Sequence, residues 1–295
     1  MNRQPQIALL PDRRLHLQDG PIDLIIGADG SDVDIRTAYR AATERFTGLL
    51  DELCAELPEL REAATPDHCA LRGVVARRMH AAVAPFAEET FITPMAAVAG
   101  AVAEAVLAAM LGAAKLTRAY VNNGGDIALH LQDAATFSVG LMDRPDAGGV
   151  LRRMILRADD AIGGVATSGR HGRSFSLGIA DAVTVLARTA AQADAAATVI
   201  GNAVDLPNHP AVLRCPACEL QPDSDLGHRL VTREVGRLCD AEIAAALAAG
   251  ERCAQSLLAA GLVDGAVLQL SGGLRVVGAR SIEIERRPQL RAAAA

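Results

Sequence analysis

The sequence contains no tryptophan and only 2% aromatic residues, and its net charge is −6. Both usual handles on nucleic acid, a set of stacking rings and a basic patch, are therefore missing, and no nucleic-acid partner is expected. Also missing is a charge-free apolar run of the roughly 18 residues that a membrane span needs. Even the Ala-rich stretch from Pro94 to Leu111 carries Glu104. The opening residues, Met1 to Pro11, hold too short an apolar run for a signal peptide and are followed at once by charge. The expectation is a cytoplasmic protein with no membrane partner.

Cysteine is sparse, at positions 54, 69, 215, 218, 239 and 253, and only Cys215 and Cys218 form a close pair. Cys-Pro-Ala-Cys is half a zinc site or a redox pair by spacing, but a zinc knuckle needs a second pair of ligands, and only the isolated His209 and His228 flank it. Two free thiols in a loop is the simpler reading.

What the chain does have is length and small apolar residues. Its 295 residues are 51% hydrophobic, enough to bury a sizeable core built from Ala, Val, Leu and Ile. Short apolar runs at Ile7 to Leu10, Leu15 to Leu17 and Ile22 to Ile26, separated by Pro-Asp and Asp-Gly-Pro turns, predict antiparallel strands. Helical spacing covers Ile35 to Leu57, Leu71 to Val83, Thr189 to Ala203 and Ala241 to Ala260. Thr93-Pro94 predicts a capped helix start running to about Leu111, with Ala and Gly on a face that another backbone can approach closely. Strands are predicted at 119–122, 127–131, 137–141, 154–157 and 182–186, and a hairpin across Ser271-Gly272-Gly273. This order fits an α+β fold with antiparallel sheets packed against Ala-rich helices. One globular unit over 1–288, with a disordered Ala-rich tail over 289–295, is expected. The small-residue helix faces make a symmetric homodimer plausible.

Three segments place Gly, hydroxyls and carboxylates at strand or helix ends. Asn122-Asn123-Gly124-Gly125-Asp126 offers a left-handed-permissive backbone flanked by hydrogen-bonding side chains, and is equally the signature of a hairpin turn. Gly163 to Arg170, with Thr167, Ser168, Gly169 and the Arg170 cation, suits phosphate oxygens or is a plain loop; no Walker pattern follows it. Asp194 and Thr198 lie four apart on a helix, where they face one way and can offer oxygens to a hard cation, unless Asp194 merely faces solvent.

Taken in order, Asn-Gly-Gly-Asp at 123–126, Ala-Thr-Ser-Gly at 166–169, Val-Thr-Val-Leu-Ala at 183–187 and Ala-Asp-Ala-x-Ala-Thr at 193–198 resemble the ApbE-like superfamily, which includes the FAD:protein FMN transferases. The match spans roughly 93–202. Further segments, Gly20 to Leu24 and Pro222 to Gly227, resemble a branch of it without an export signal. The resemblance implies a T-fold-related α+β fold, FAD as ligand and Mg²⁺ at its diphosphate. It further implies that Asp194 and Thr198 are metal ligands completed by a backbone carbonyl near Val98, and that Asn122 to Asp126 and Thr167 to Gly169 line the flavin pocket. Two departures stand out. The transferases carry His-x-x-Asp-Pro-x-x-Gly after Thr-Ser-Gly, whereas this chain runs through Ser174 to Gly178 into Ala180-Asp181-Ala182; and Val98-Ala99-Gly100 replaces the family's Ala-Lys-Gly. His171 is nearby but reads as a surface-loop residue. The expectation is a flavin- or nucleotide-binding protein or enzyme that lacks FMN transfer. The alternatives are an enzyme on another phosphorylated or pterin-like metabolite, a true FMN transferase, and a ligand-free accessory subunit.

Overall fold

The computed structural model describes residues 4–141, 152–278 and 285–286. The chain opens with an antiparallel meander, β1 (Gln6–Leu9), β2 (Leu15–Asp19) and β3 (Ile22–Asp29). Along β2 and β3 alternate residues are buried (Leu15, Leu17, Ile22, Leu24, Ile26), the period of two that lays one sheet face on a helical layer. Next come α1 (Asp32–Phe46), α2 (Leu49–Cys54) and α3 (Leu57–Leu60). The single helix expected from Ile35 to Leu57 is therefore broken. Gly48 takes φ of +81°, a left-handed conformation that stops a helix and that glycine adopts without steric cost.

After α4 (Val74–Val83), Thr93 precedes a 3-10 turn, Pro94–Ala97, that continues into α5 (Val98–Ala113). The helix lies where Thr93-Pro94 placed it, but the threonine does not cap it. Its hydroxyl donates instead to Asp225 at 2.5 Å. Pro94–Ala113 is also long and apolar enough to cross a membrane, so Glu104 does not exclude the segment on composition. Here it packs inside the fold: Gly100 to Ala103 are buried, and Glu104 pairs with Arg78 at 3.1 Å and accepts the Ala191 amide at 2.7 Å.

The chain continues through β4 (Arg118–Asn123), β5 (Asp126–Leu131), β6 (Thr136–Leu141), β7 (Arg152–Arg157), β8 (Gly164–Ser168), β9 (Ala182–Ala187) and α6 (Ala190–Ala203). It ends with β10 (Val212–Pro216), α7 (Ala217–Leu220), β11 (Leu230–Val235), α8 (Asp240–Ala259), β12 (Gly265–Leu270), β13 (Gly273–Gly278) and β14 (Glu285–Arg286). Nine strands form one antiparallel sheet in the order β1-β2-β3-β4-β5-β8-β9-β12-β13, and smaller sheets join β14-β7-β6 and β10-β11. The α+β class expected from the sequence is the one observed. The segment 164–168, read as loop, is a central strand; two glycines hid its apolar run. The β10-β11 pair adds two strands beyond those that the alternation predicts.

One sheet face and the helices enclose the main core, and the other face carries a second cluster around Leu129, Met154, Leu156, Val165, Leu186 and Val267. At the centre of the helical layer Ala190 is gripped from two sides. A Cβ on Gly100 would stand 2.3 Å from the Ala190 carbonyl oxygen, and one on Gly164 would stand 2.3 Å from its Cα. The small-residue face of α5 therefore serves contact with α6 within the protein. The expected tail lies outside the described residues.

Candidate functional site

Four elements converge: the β4-β5 turn, the N-terminus of α5, the end of β8 and the first half of α6. Gly124 and Gly125 form the turn, with φ of +66° and +116°, values that L side chains resist. The Asn122 side chain closes it by accepting the Gly125 amide at 2.8 Å. Hairpin turn and candidate ligand loop are thus one structure. Asn123, buried, reaches back to α5 and donates to the Ala99 carbonyl at 3.2 Å.

Asp126 opens β5 and accepts the Thr167 amide of β8 at 3.1 Å, while the Thr167 hydroxyl meets that of Thr184 at 2.9 Å. The amide and hydroxyl read as phosphate donors are therefore already bonded within the sheet. Ser168 faces Gly201 of α6, and at Gly169 the Asp181 carbonyl lies only 2.5 Å from where a Cβ would be. Arg170, the cation the sequence offered for phosphate, is also engaged: Asp181 holds its guanidinium at 2.6 and 2.9 Å. His171 is exposed and 3.2 Å from the same carboxylate.

Asp194 is partly buried and turned inward rather than out to solvent. It projects from α6 to the start of α5 and accepts the amides of Gly100, at 3.0 Å, and Ala99, groups a helix N-terminus leaves without internal partners. Thr198 lies one turn further along α6, partly buried, and its hydroxyl makes no hydrogen bond among the described residues. Val98 is the first residue of α5 and adjoins Ala99.

Electrostatics tie Asp126 and Asp194 together. Burial pushes the Asp126 carboxyl up to about 7, against the Thr167 amide and the Arg173 charge. Burial also holds Asp194 well above the usual carboxylate range; the neighbouring Asp126 charge adds to this, and the Gly100 and Ala99 amides oppose it. A buried carboxylate whose proton affinity a neighbouring carboxylate raises further is the donor chemistry a hard cation relieves. Among the described residues no three His, Cys, Asp or Glu side chains gather as a metal site. A cation here would take its remaining oxygens from the Thr198 hydroxyl, backbone carbonyls or water.

Arg173 is the residue that sequence reasoning missed. Its guanidinium lies over Gly124, with Nη2 2.0 Å from where a Cβ would be, and Nη1 donates to the Pro21 carbonyl at 3.2 Å. The only signal was a second arginine three residues after Arg170. A cavity of about 330 Å³ lies at the opposite end of β3 and β4, lined by Arg13, Arg14, Tyr39, Arg118 and Tyr120. Its three arginines are bonded to Asp32, Asp12 and Asp29.

Cys215 and Cys218 are free, and Cys218 Sγ lies 3.4 Å from His228 Nδ1. In the 222–227 segment Asp223 pairs with Arg61 at 2.8 Å and Asp225 accepts from Thr93.

Comparison with known proteins adds three findings. The model of a family described as AbpE bacteria matches residues 7–276. A UPF0280 protein of Methanopyrus kandleri is 36% identical over 182 residues, covering 61% of this chain and 69% of that protein; one of Methanocella arvoryzae is 31% identical over 201 residues, covering 68% and 77%. The crystal structure of apo Pseudomonas stutzeri flavinyl transferase ApbE aligns over 95% of this chain and 97% of that one, at 10% identity and a TM-score of 0.43.

Proposed function

The chain belongs to this ApbE-like family, matched from residue 7 to 276, and from that premise we propose that it binds a flavin dinucleotide, FAD or a close relative, in a Mg²⁺-dependent way. The observation that carries the proposal is the convergence of Asp126 and Asp194 beside the Gly124-Gly125 turn and the first amides of α5. A diphosphate concentrates negative charge, and a protein of net charge −6 holds it best through a cation and aligned donors. Mg²⁺ would supply that neutralisation. Asp194, Thr198 and the backbone at Val98 would hold it, with Asp126 alongside.

The same proposal excludes FMN transfer to protein hydroxyls. Transfer needs groups placed on the attacking hydroxyl and on the developing phosphoryl charge. Between Ser168 and β9 this chain has no His-x-x-Asp-Pro segment, and Asp181 at its end is engaged by Arg170 and by the Ser271 amide at 2.5 Å.

Calorimetric titration with FAD in Mg²⁺ and in a chelator tests the binding half. Binding with Mg²⁺ that weakens at least tenfold in the chelator is expected. Absence of binding in both would end the flavin reading and favour another phosphorylated metabolite. Incubation with a flavinylation-competent target tests the other half, and a fluorescent covalent band would overturn it.

A further inference from the structure

We propose that Arg173 is the phosphate-binding cation of this site, seated on the Asn-Gly-Gly-Asp turn to meet a phosphate or diphosphate of the ligand. The inference deepens the dinucleotide reading and rests on it for the identity of the ligand. It begins with a seat. The guanidinium lies against Gly124, so close that any side chain there would displace it, and its Nη1 is fixed on the Pro21 carbonyl of the β2-β3 turn. Three segments distant in sequence thus define one position for a side chain that is otherwise exposed.

The second observation is the charge it retains. Arg170, Arg78 and Arg118 each bond a carboxylate, Asp181, Glu104 and Asp29 respectively. Arg173 bonds a carbonyl, and among the described residues no carboxylate lies within ion-pair distance of it. Its charge still reaches Asp126, whose proton affinity it lowers. A guanidinium presents a planar fork of donors that matches phosphate oxygens, and one already positioned loses less freedom on binding. At positions 98–100 this chain has no cation of its own, the residues being Val98, Ala99 and Gly100. Arg173 places one on the turn itself, against Gly124.

The test uses two probes on the full chain in Mg²⁺, FAD and inorganic pyrophosphate, with wild type, Arg173→Met and Arg173→Lys, each melted for stability and titrated at two salt concentrations. Arg173→Met is expected to keep its melting temperature and lose about tenfold or more in affinity for both probes, with a weaker salt dependence, and Arg173→Lys to recover part of the loss. Arg173→Met binding within threefold of wild type would overturn the inference, as would an affinity loss with unchanged salt dependence. Wild type that binds pyrophosphate through Arg173 but not FAD would retain the cation and discard the flavin. Wild type that binds neither discards both.

Discussion

The carboxylate of Asp194, on α6, and the amide of Gly100, on α5, are joined at 3.0 Å, so the residue that the family resemblance assigns to a metal also serves the first turn of a neighbouring helix. Truncation and charge removal should therefore separate. Asp194→Ala removes the acceptor from the Gly100 and Ala99 amides and should cost about 1–2 kcal/mol of stability. Asp194→Asn keeps an acceptor oxygen and removes the repulsion with Asp126, so it should melt at or above wild type in a chelator. Both should weaken FAD binding in Mg²⁺ by tenfold or more. Thermal melts beside titrations of the two variants check this, and an Asn variant with wild-type affinity would remove Asp194 from the ligand site.

Stability should fall as pH rises towards neutrality. A carboxyl that holds its proton more tightly in the folded state, as Asp126 does at about 7 against an ordinary value of 3.8, stabilises the fold fully below that ordinary value. The contribution is lost as pH climbs through about 7. In a chelator, Asp126→Asn should therefore flatten the melting profile between pH 4 and 8 by roughly 5 °C relative to wild type. Superimposable pH profiles would show that the carboxyl is not perturbed.

Replacing either glycine that grips Ala190 should be costly. Gly100→Ala meets the Ala190 carbonyl at 2.3 Å and Gly164→Ala meets its Cα at the same distance, in both cases backbone that cannot swing away. Overpacking of this kind costs about 1–3 kcal/mol or more, and each variant should melt several degrees lower. A Gly112→Ala control, where nothing stands within 4 Å, should not lose stability.

Much of this was readable in the sequence because period and punctuation agreed. Leu15-His16-Leu17 alternates as an antiparallel strand must, and the glycines at 124 and 125 mark a turn whichever role they serve. What was not legible had a physical reason in each case. Gly48 resembles any helix glycine until its φ is known, and β8 is hidden because the glycine that weakens its strand signal is required by the approach of Ala190. For the candidate site, the sequence named Asp194 but offered Arg170 as the cation. Only the fold reveals that Asp181 captures Arg170 and leaves Arg173 over the turn.

The thiols of Cys215 and Cys218 should hold no structural zinc. With His228 as the one imidazole at bonding distance and no three-ligand group among the described residues, the double Cys→Ser variant should melt as wild type does. Stoichiometric zinc in purified wild type that disappears in the variant would refute this.

The aspartates of 222–227 should act through the protein rather than through a cation. Thr93→Val leaves the Asp225 carboxylate without its hydroxyl donor and should cost about 1–3 kcal/mol, measured by denaturant unfolding. An anomalous Mn²⁺ peak beside Asp223 or Asp225 would count against it.

The nine-stranded sheet has a seam. β5 and β8 pair at two positions, Ile127 with Val165 and Ala128 with Gly164, extended at one end by the Leu129 amide on the Gly163 carbonyl at 2.9 Å, and at the other end the Asp126 carboxylate takes the Thr167 amide that a longer strand would have bonded through its backbone. On one side of that seam stand the first five strands with Asn123 and Gly124; on the other stand β8 and β9, with α6 carrying Asp194 packed upon them. Anything that engages both sides fastens two sheets' worth of strands across their weakest join. Occupancy of the site should thus be felt as cooperativity, with the amides on either side of the seam exchanging with solvent together rather than separately.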